Sequence, residues 1–159
     1  MILVLLGTQN NSFHRLLEEV QKNIDNGKIK EDVVVQKGYT KFESKDMTMY
    51  NQVPLDEMRQ LIEKADLVIT HGGVGSIVSS IEKNKKVIAV PRLKKYKEHV
   101  NDHQLDIIRI FNQLEHIIGL NGVEELEEAL KKVKEFEPKQ YVRNTGYILE
   151  IVENFIDNN

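Results

Sequence analysis

A glycine-rich segment near the middle of the chain has residue types that suit phosphate binding. It reads His71-Gly72-Gly73-Val74-Gly75-Ser76, directly after an apolar run and at the start of a predicted helix. Glycine allows the backbone to approach a ligand closely, and the unpaired N–H groups of a helix N-terminus attract an anion. The Ser76 hydroxyl adds a further donor. The segment predicts a site for a phosphate or a diphosphate; a tight turn that binds nothing is the alternative.

A second glycine segment begins with Gly7 and Thr8 and follows the first apolar run of the chain. In a doubly wound sheet, ligands bind beyond the carboxyl ends of the strands, so both glycine segments belong to the binding edge. The common nucleotide signatures do not match. Gly7 begins no G-x-G-x-x-G motif, Val35-Gln36-Lys37 contains no acidic residue, and the chain has no G-K-[S/T]. We therefore expect neither NAD binding nor a P-loop NTPase.

A third polar segment runs from Pro91 to Gln104 and also follows a predicted strand. Its cations are suited to neutralising a polyphosphate: Arg92, Lys94, Lys95 and Lys97. Its other polar side chains are suited to binding sugar hydroxyls: Glu98, Asn101, Asp102 and Gln104. A solvated, lysine-rich loop is the alternative. His99 and His103 have the spacing to share a metal ion on one helix face, but no third ligand accompanies them, so we predict no metal site.

The elements that must position these segments are visible as short apolar runs that alternate with longer amphipathic stretches. The runs are Ile2–Leu6, Asp32–Val35, Met47–Tyr50, Leu67–Thr70, Val87–Val90 and His116–Ile118. Strands that are apolar throughout are typical of a parallel sheet covered on both faces, and the longer stretches supply crossover helices. We predict an α/β fold, a Rossmann-like parallel sheet of about six strands with helices on both faces.

Helix signals lie between these runs. The first helix is predicted to begin at Asn11 or Ser12, whose side-chain oxygens suit a cap, and to end before Gly27. Further helices are predicted after Pro54 and over Val74–Asn84, Val100–Phe111 and Val123–Glu135. A last helix is predicted at about 140–157, centred on Tyr147–Ile156, with a broad apolar face that packs mostly on the sheet and in part against a partner.

The composition describes a single globular domain over residues 1–159. Of these residues 40% are hydrophobic and 30% are charged. No apolar run approaches the roughly 20 residues that a membrane span needs, and the opening run lacks the basic leader of a signal peptide. A formal net charge of -3 argues against a dedicated nucleic-acid binder. The absence of cysteine excludes a disulfide framework and fits the cytoplasm.

Taken in order, the three segments resemble the donor-binding, C-terminal domain of GT-B glycosyltransferases of family 28. The resemblance covers nearly the whole chain. It comprises a first strand ending in Gly7-Thr8, an H-x-G-x-G-[S/T] loop at His71–Ser76, a strand ending in Val90-Pro91-Arg92, and then Glu98-His99-Val100-Asn101-Asp102-His103-Gln104. The loop and the last motif at this spacing are together specific, whereas a glycine loop alone is not.

The resemblance extends to the small split members of the family, in which the two halves are separate chains. These include catalytic subunits of bacterial capsule and exopolysaccharide galactosyltransferases and the cytosolic subunit of the eukaryotic dolichol-linked UDP-GlcNAc transferase. The resemblance thus implies one half of a GT-B fold and an inverting, UDP-sugar-dependent hexosyltransferase subunit. Galactose is the preferred sugar, with GlcNAc as the alternative, transferred to a lipid-linked saccharide in capsule or exopolysaccharide synthesis.

The family also implies roles for particular residues. Gly7 and Thr8 would line the donor pocket, and Asp102 and Gln104 would contact the transferred sugar. The nucleotide diphosphate would be held by Gly72, Gly73, Gly75 and Ser76. The remaining polar residues of the third segment complete the predicted substrate site: Arg92, Glu98, Asn101 and His103. Relatives commonly carry a ribose-binding glutamate where this chain has Ser79, which leaves the choice of nucleotide open.

The same resemblance implies a second chain. A membrane-anchored partner would bind the lipid-linked acceptor and supply the catalytic base, and it would hold this subunit at the cytoplasmic face of the membrane. No metal or other cofactor is expected besides the UDP-sugar donor. His71 is the one candidate base in these segments, with a structural role beside the glycine loop as the alternative. A non-catalytic nucleotide-sugar-binding or enhancer subunit is the alternative for the whole chain.

Overall fold

Strands and helices alternate along residues 1–142, which are the residues that the computed structural model describes. The strands in this range are β1 (Ile2–Leu5), β2 (Val33–Gln36), β3 (Met47–Tyr50), β4 (Leu67–His71), β5 (Lys86–Val90) and β6 (Ile118–Gly119). The α-helices are α1 (His14–Asp25), α2 (Leu55–Lys64), α3 (Val74–Ile81), α4 (His103–Gln113) and α5 (Leu126–Lys132). Every strand begins and ends within about two residues of its predicted run, as expected for boundaries read from apolar patterning.

The strands form one parallel sheet in the order β3-β2-β1-β4-β5-β6. In the centre of the sheet, Leu5 of β1 is paired with Gln36 of β2 on one side and with Thr70 of β4 on the other. Connections from β1 run outward in one direction and connections from β4 in the other. This order is that of a Rossmann-like domain, and the prediction of the fold class is confirmed.

Helices cover both faces of the sheet because successive strand side chains point to opposite sides. Val4 packs in a core with α1 and α5, in which Phe13, Leu17 and Leu126 are fully buried. Leu3 and Leu5 pack in a second core with α2, α3 and α4. The residues of that second core include Ile62, Ile77, Ile108 and Phe111. The two apolar layers hold the carboxyl ends of the strands in a fixed arrangement.

The prediction that Asn11 or Ser12 caps the first helix is wrong. α1 begins at His14, its N-cap is Phe13, and no side chain caps it. The Phe13 N–H instead donates to the Thr40 hydroxyl at 3.0 Å, across 27 residues of sequence. The end of this helix is as predicted, because Gly27 follows it with a φ of 72°.

The other helices differ from the predictions mainly at their ends. α3 ends at Ile81, since Asn84 has a φ of 58° and cannot continue a helix. α4 begins at His103 rather than Val100, and the region predicted as one helix from Val123 begins with a 3-10 turn before α5. None of the helices in the described range is long and apolar enough to cross a membrane. The predicted C-terminal helix and its apolar face lie outside the described residues.

Candidate functional site

The two glycine segments meet where the strand order reverses. β1 and β4 are neighbours, so the segments that follow them leave the same edge of the sheet side by side. The imidazole of His71 lies between them. A Cβ added to Gly7 would be 2.6 Å from His71 Nε2, and one added to Gly73 would also be 2.6 Å from it. Only glycine allows both backbone segments to approach the ring this closely, and Gly7 also needs its φ of 75°.

Gln104 joins the third segment to the glycine segment that follows β4. Its side chain is buried, and Oε1 accepts hydrogen bonds from the backbone N–H groups of Gly72 at 3.0 Å and Arg92 at 3.1 Å. Its Nε2 lies 3.2 Å from His71 Nδ1. The side-chain amide of Gln104 therefore connects the segments that follow β4 and β5. This convergence at a single edge is what the sequence-based interpretation required.

The same hydrogen bonds determine the state of His71. Because Oε1 of Gln104 accepts two backbone N–H groups, Nε2 must donate, and Nδ1 of His71 must accept. The proton of the neutral ring then lies on Nε2, which faces Gly7 and Gly73. Burial, together with the positive charge of Arg92, lowers the pKa of His71 from 6.5 to about 3. The prediction of His71 as a general base is not supported, because its one basic nitrogen is already an acceptor; the ring is instead a neutral N–H donor.

The lowered pKa predicts acid sensitivity. The unfolded chain binds a proton at His71 near pH 6.5, whereas the folded protein does not until about pH 3. The free energy of unfolding should therefore fall as the pH drops below 6.5, by up to about 1.4 kcal/mol per pH unit. His99, whose pKa is also lowered by burial, acts in the same direction. Urea unfolding at several pH values measures the slope.

The control for this prediction is the variant His71→Gln, which has no titratable group at the position. It should show a shallower loss of stability between about pH 6 and pH 4 than the unmodified protein. Equal slopes would contradict the assignment of the effect to His71.

Arg92 does not occupy the position that the sequence suggested. Its side chain is only 1% exposed, and its guanidinium donates to the backbone carbonyls of Asn11 at 2.8 Å, Glu98 at 3.4 Å, and Leu6. Burial lowers its pKa to about 10, so it stays charged at neutral pH. The prediction that Arg92 neutralises a polyphosphate is wrong for this arrangement, because the side chain points into the protein and joins the segment that follows β1 to the third segment.

Glu98 is also a structural residue rather than a sugar ligand. Its carboxylate is buried and accepts hydrogen bonds from Arg15 Nε at 2.7 Å and Nη2 at 2.8 Å, and from the Leu93 N–H at 3.1 Å. The Arg15 guanidinium stacks on Tyr96 with 3.7 Å between its central carbon and the ring centroid. Through these hydrogen bonds Glu98 holds the loop after β5 against α1.

A cavity of about 260 Å³ lies beside the glycine loop. Its polar lining consists of Gln9, His99, Asn101, His103 and Gln104, together with the backbone of Gly72 and Gly73. Asn101 and His103 thus line the same cavity as Gln104, and their role as ligands stays a prediction. Asp102 and Thr8 are exposed and are not part of this lining, and the Asp102 carboxylate accepts the Lys94 N–H at 2.8 Å. Gln9 and His99 were not predicted as ligands.

A second cavity of about 220 Å³ lies on the other side of the first turn of α3. Gly75, Ser76 and Ser79 of α3 form one wall, and the carboxyl ends of β1 and β2 form another through Leu5 and Gln36. A Cβ added to Gly75 would meet nothing within 4 Å, so packing does not require glycine there. The N-terminus of α3 therefore lies between two cavities.

Two other features of the described residues bear on the choice of site. A larger cavity of about 830 Å³ lies between α4, β6 and α5, and its lining contains several glutamates and none of the predicted site residues. We place the candidate site at the two smaller cavities, because they lie beside the glycine segments, where the strand order of the sheet reverses. No cluster of three or more metal-ligating side chains occurs within residues 1–142.

The parallel sheet and its glycine-lined switch point define a Rossmann-like domain of the kind that forms one half of a GT-B fold. The chain belongs to the family of the glycosyltransferase family 28 C-terminal domain, whose sequence model matches residues 1–158. The resemblance inferred from the motifs is confirmed by this match.

Proteins that are similar in sequence or in fold are consistent with membership of this family. The UDP-N-acetylglucosamine transferase subunit ALG13 of Candida glabrata is 38% identical over 77 residues, which is 47% of this chain and 37% of that protein. The chain thus spans well under half of this relative. The NMR solution structure of ALG13 superposes with a TM-score of 0.59 at 17% identity, over 98% of this chain and 96% of that one. The Streptomyces sp. SF2575 glycosyltransferase SsfS6, complexed with thymidine diphosphate, gives 0.57 at 16% identity, over 98% of this chain and 37% of that one.

Proposed function

We propose that this chain is the catalytic, donor-binding subunit of an inverting, UDP-sugar-dependent glycosyltransferase. The observation that carries the proposal is the convergence of three sequence-separated segments around the N-terminus of α3. Gly7 and Gly73 both pack against the His71 ring there, and a cavity lies on either side of the first turn of α3. A nucleoside diphosphate sugar has its charged diphosphate between a base and a hydroxylated sugar, so its two ends could occupy the two cavities while the diphosphate lies at the helix N-terminus.

The diphosphate would lie against the first turn of α3. The backbone N–H groups at its start and the Ser76 hydroxyl are donors, and the Nε2–H of His71 adds another between the glycines. As the bond from the sugar to the diphosphate breaks, negative charge grows on the leaving oxygen. Donors that are already in place stabilise that charge without reorganising, which is how such a site lowers a reaction barrier. We expect no metal ion or cofactor to be required besides the donor.

The sugar would occupy the cavity of about 260 Å³. Its lining offers the amides of Gln9 and Asn101, the second N–H of the Gln104 amide and two imidazoles, which suit hydroxyl groups rather than a charged ligand. ALG13 of Candida glabrata, named above, is a UDP-N-acetylglucosamine transferase subunit. This relative favours UDP-GlcNAc as the donor over the UDP-galactose preferred from the motif.

The acceptor site would come from a second chain. GT-B enzymes place their reaction between two Rossmann-like halves, and the described residues form one such half. The named relative ALG13 is itself a transferase subunit. We propose a membrane-anchored partner that binds a lipid-linked saccharide, supplies the base for the acceptor hydroxyl, and holds this subunit at the cytoplasmic face of the membrane. Capsule or exopolysaccharide synthesis remains the proposed setting.

One observation favours the alternative of a binding subunit without its own chemistry. Ser79 stands where relatives commonly carry a ribose-binding glutamate, and no charged side chain lines the second cavity. Such a subunit would bind nucleotide sugar and support transfer by another chain.

Calorimetry on the full chain with UDP, UDP-GlcNAc and UDP-galactose tests donor binding. We expect heat from all three and the highest affinity for one of the sugars. An absence of binding to every one of them would contradict the proposal. Transfer of a radiolabelled sugar to lipid acceptor by membranes containing the partner then separates a catalytic subunit from a binding one. Binding combined with undiminished transfer in membranes that lack this chain would favour the alternative.

A further inference from the structure

Three lysines that suggested polyphosphate binding in the sequence lie outside the candidate site. Lys94, Lys95 and Lys97 follow β5 and are exposed. None of them lines either of the two smaller cavities, and none forms an ion pair with a residue in the range 1–142. We name residues 94–100, which contain these lysines, the basic loop. Its positive charges have no role in the fold or in the proposed donor site.

The basic loop is an ordered projection rather than a loose strand of chain. Lys94–Tyr96 form a 3-10 turn, and the Leu93 carbonyl accepts hydrogen bonds from the N–H groups of Tyr96 and Glu98, both at 3.2 Å. The buried Glu98 carboxylate in turn accepts hydrogen bonds from Arg15 and from the Leu93 N–H. Because the backbone is already fixed, a ligand that binds the lysines does not have to order the loop.

Two apolar side chains are exposed beside the lysines. Val100 is 75% exposed, the highest value among the large apolar side chains of residues 1–142, and Tyr96 is 48% exposed. The Tyr96 ring lies 3.7 Å from the central carbon of the Arg15 guanidinium and 5.1 Å from Lys95 Nζ. Cations combined with an exposed aromatic ring and an aliphatic side chain are typical of protein surfaces that bind at the interface between a membrane and water.

The charge of the basic loop is opposite in sign to that of the whole chain. The chain has a formal net charge of -3, and the Arg15 charge is balanced by Glu98. The loop has three lysines and one neighbouring exposed carboxylate, that of Asp102, which accepts the Lys94 N–H. An anionic surface would therefore attract this loop more than the rest of the molecule and would orient the protein with the loop toward it.

We propose that the basic loop docks this chain directly on the anionic headgroups of a lipid bilayer. A bilayer is favoured over an acidic protein because the proposed acceptor is lipid-linked, and in this choice the inference rests on the proposed function. The cytoplasmic leaflet, where that function places the subunit, has a negative surface potential. Three lysines bind such a surface only weakly, so the loop is a second contact beside the anchor of the partner.

The position of the basic loop gives the docking a consequence for the candidate site. The loop follows β5 and therefore lies at the carboxyl edge of the sheet, the edge at which the glycine segments also lie. Docking through this loop would bring that edge close to the membrane, where a lipid-linked acceptor is held.

Co-sedimentation of the full chain with lipid vesicles, in the absence of nucleotide, tests the docking. The vesicles contain phosphatidylcholine alone or mixed with phosphatidylglycerol. We expect binding to the mixed vesicles only, and weaker binding at high salt, because the Debye length falls from about 10 Å at 0.1 M to about 3 Å at 1 M. The combined substitutions Lys94→Gln, Lys95→Gln and Lys97→Gln should weaken binding at least about tenfold, since each cation near an anionic surface contributes about fivefold. Val100→Thr, which exchanges a methyl group for a hydroxyl, should weaken it about threefold.

A matched control removes three exposed lysines at the opposite edge of the sheet. Lys131, Lys132 and Lys134 lie at the end of α5 and just after it. This end of α5 is close to the amino end of β5, where Lys86 Nζ donates to the Val133 carbonyl at 3.0 Å. Replacing these three lysines with glutamine changes the net charge equally and should leave vesicle binding unchanged. An equal loss in both triple variants would overturn the inference, because net charge rather than the basic loop would then control binding.

The melting temperature and the affinity for UDP complete the comparison. Both triple variants should melt at the temperature of the unmodified protein, since all six lysines are exposed. If the basic-loop variant does not fold, Val100→Thr still tests the docking, and vesicle binding equal to that of the unmodified protein would overturn it. The basic-loop variant should bind UDP as the unmodified protein does. A loss of UDP affinity in a folded variant would place the lysines at the donor and overturn the docking role.

The remaining outcomes separate this inference from the function on which it rests. If the unmodified protein binds UDP but not the mixed vesicles, the inference is overturned and the proposed function stands. Vesicle binding that depends on the basic loop, without any binding of UDP, supports the docking and contradicts the proposed function. Binding only to phosphatidylcholine vesicles that contain a polyprenyl diphosphate would overturn docking on the bilayer in favour of the diphosphate of an acceptor. Binding only to membranes that contain the partner, lost in the basic-loop variant, would overturn it in favour of an acidic protein surface.

Discussion

Replacing Arg92 with alanine is expected to lower the free energy of unfolding by about 3–5 kcal/mol, the usual cost of breaking a buried charged interaction. The Arg92 side chain is 1% exposed, and its guanidinium joins the carbonyls of Leu6 and Asn11, at the carboxyl end of β1, to that of Glu98 in the third segment. Without it these buried carbonyls lose their partners and the buried Glu98 carboxylate loses a neighbouring positive charge. The loss is a large part of the total stability of a domain, which is about 5–15 kcal/mol.

Urea unfolding measures this effect, with Lys95→Ala as the matched control. Lys95 lies on the same loop and is exposed, so its removal should change stability by less than about 0.5 kcal/mol. A loss of less than about 1 kcal/mol in Arg92→Ala would show that the guanidinium contacts contribute little. If the large loss is observed, any failure of that variant to transfer sugar reports a damaged fold rather than a missing phosphate ligand.

Replacing Gly73 with valine is expected to lower the affinity for UDP by about 100-fold, or about 2.7 kcal/mol. A Cβ at this position would lie 2.5 Å from Cε1 and 2.6 Å from Nε2 of His71, and valine adds two methyl groups to it. The ring is held by Gln104 on its other side, so it cannot move away without breaking that contact. Overpacking of this kind also destabilises the fold, by about 1–3 kcal/mol.

Gly75→Ala is the matched control for Gly73→Val, because both positions belong to the same loop and helix start. A Cβ at Gly75 has open space, and alanine within α3 should raise stability by about 0.5–1 kcal/mol. Calorimetry with UDP and thermal unfolding of both variants provide the comparison. Similar UDP affinities for Gly73→Val and the unmodified protein would remove the glycine loop from the binding site.

Much of the fold could be predicted from local patterning. β1 and β4 are buried throughout because both faces of the sheet are covered, and the apolar runs Ile2–Leu5 and Leu67–Ile69 are visible in a few consecutive residues. The alternation of such runs with amphipathic stretches led to the parallel sheet. The start of α1 could not be predicted in the same way, since its Phe13 N–H donates to Thr40, which is distant in sequence.

The candidate site was predicted in its location but not in the roles of its members. Strands of a parallel sheet all end at one edge, so residue types at those ends were enough to bring Gly7, His71 and Gln104 together. Whether a polar side chain at that edge faces a ligand or the protein was not visible from residue type. Arg92 and Glu98 look like ligands by composition, but both are buried and bonded to the protein.

The sequence by itself determined the family, the sheet and the edge at which the site lies, because apolar periodicity and motif spacing are properties of neighbouring residues. Only the tertiary structure decided which polar side chains have hydrogen-bond partners in the protein and which have none. The side chain of Gln104 has three protein partners, whereas that of Gln36 has no hydrogen bond to the described residues, although both glutamines are buried. That difference depends on which backbone groups from distant segments come within hydrogen-bond distance, and packing of the whole domain sets those distances.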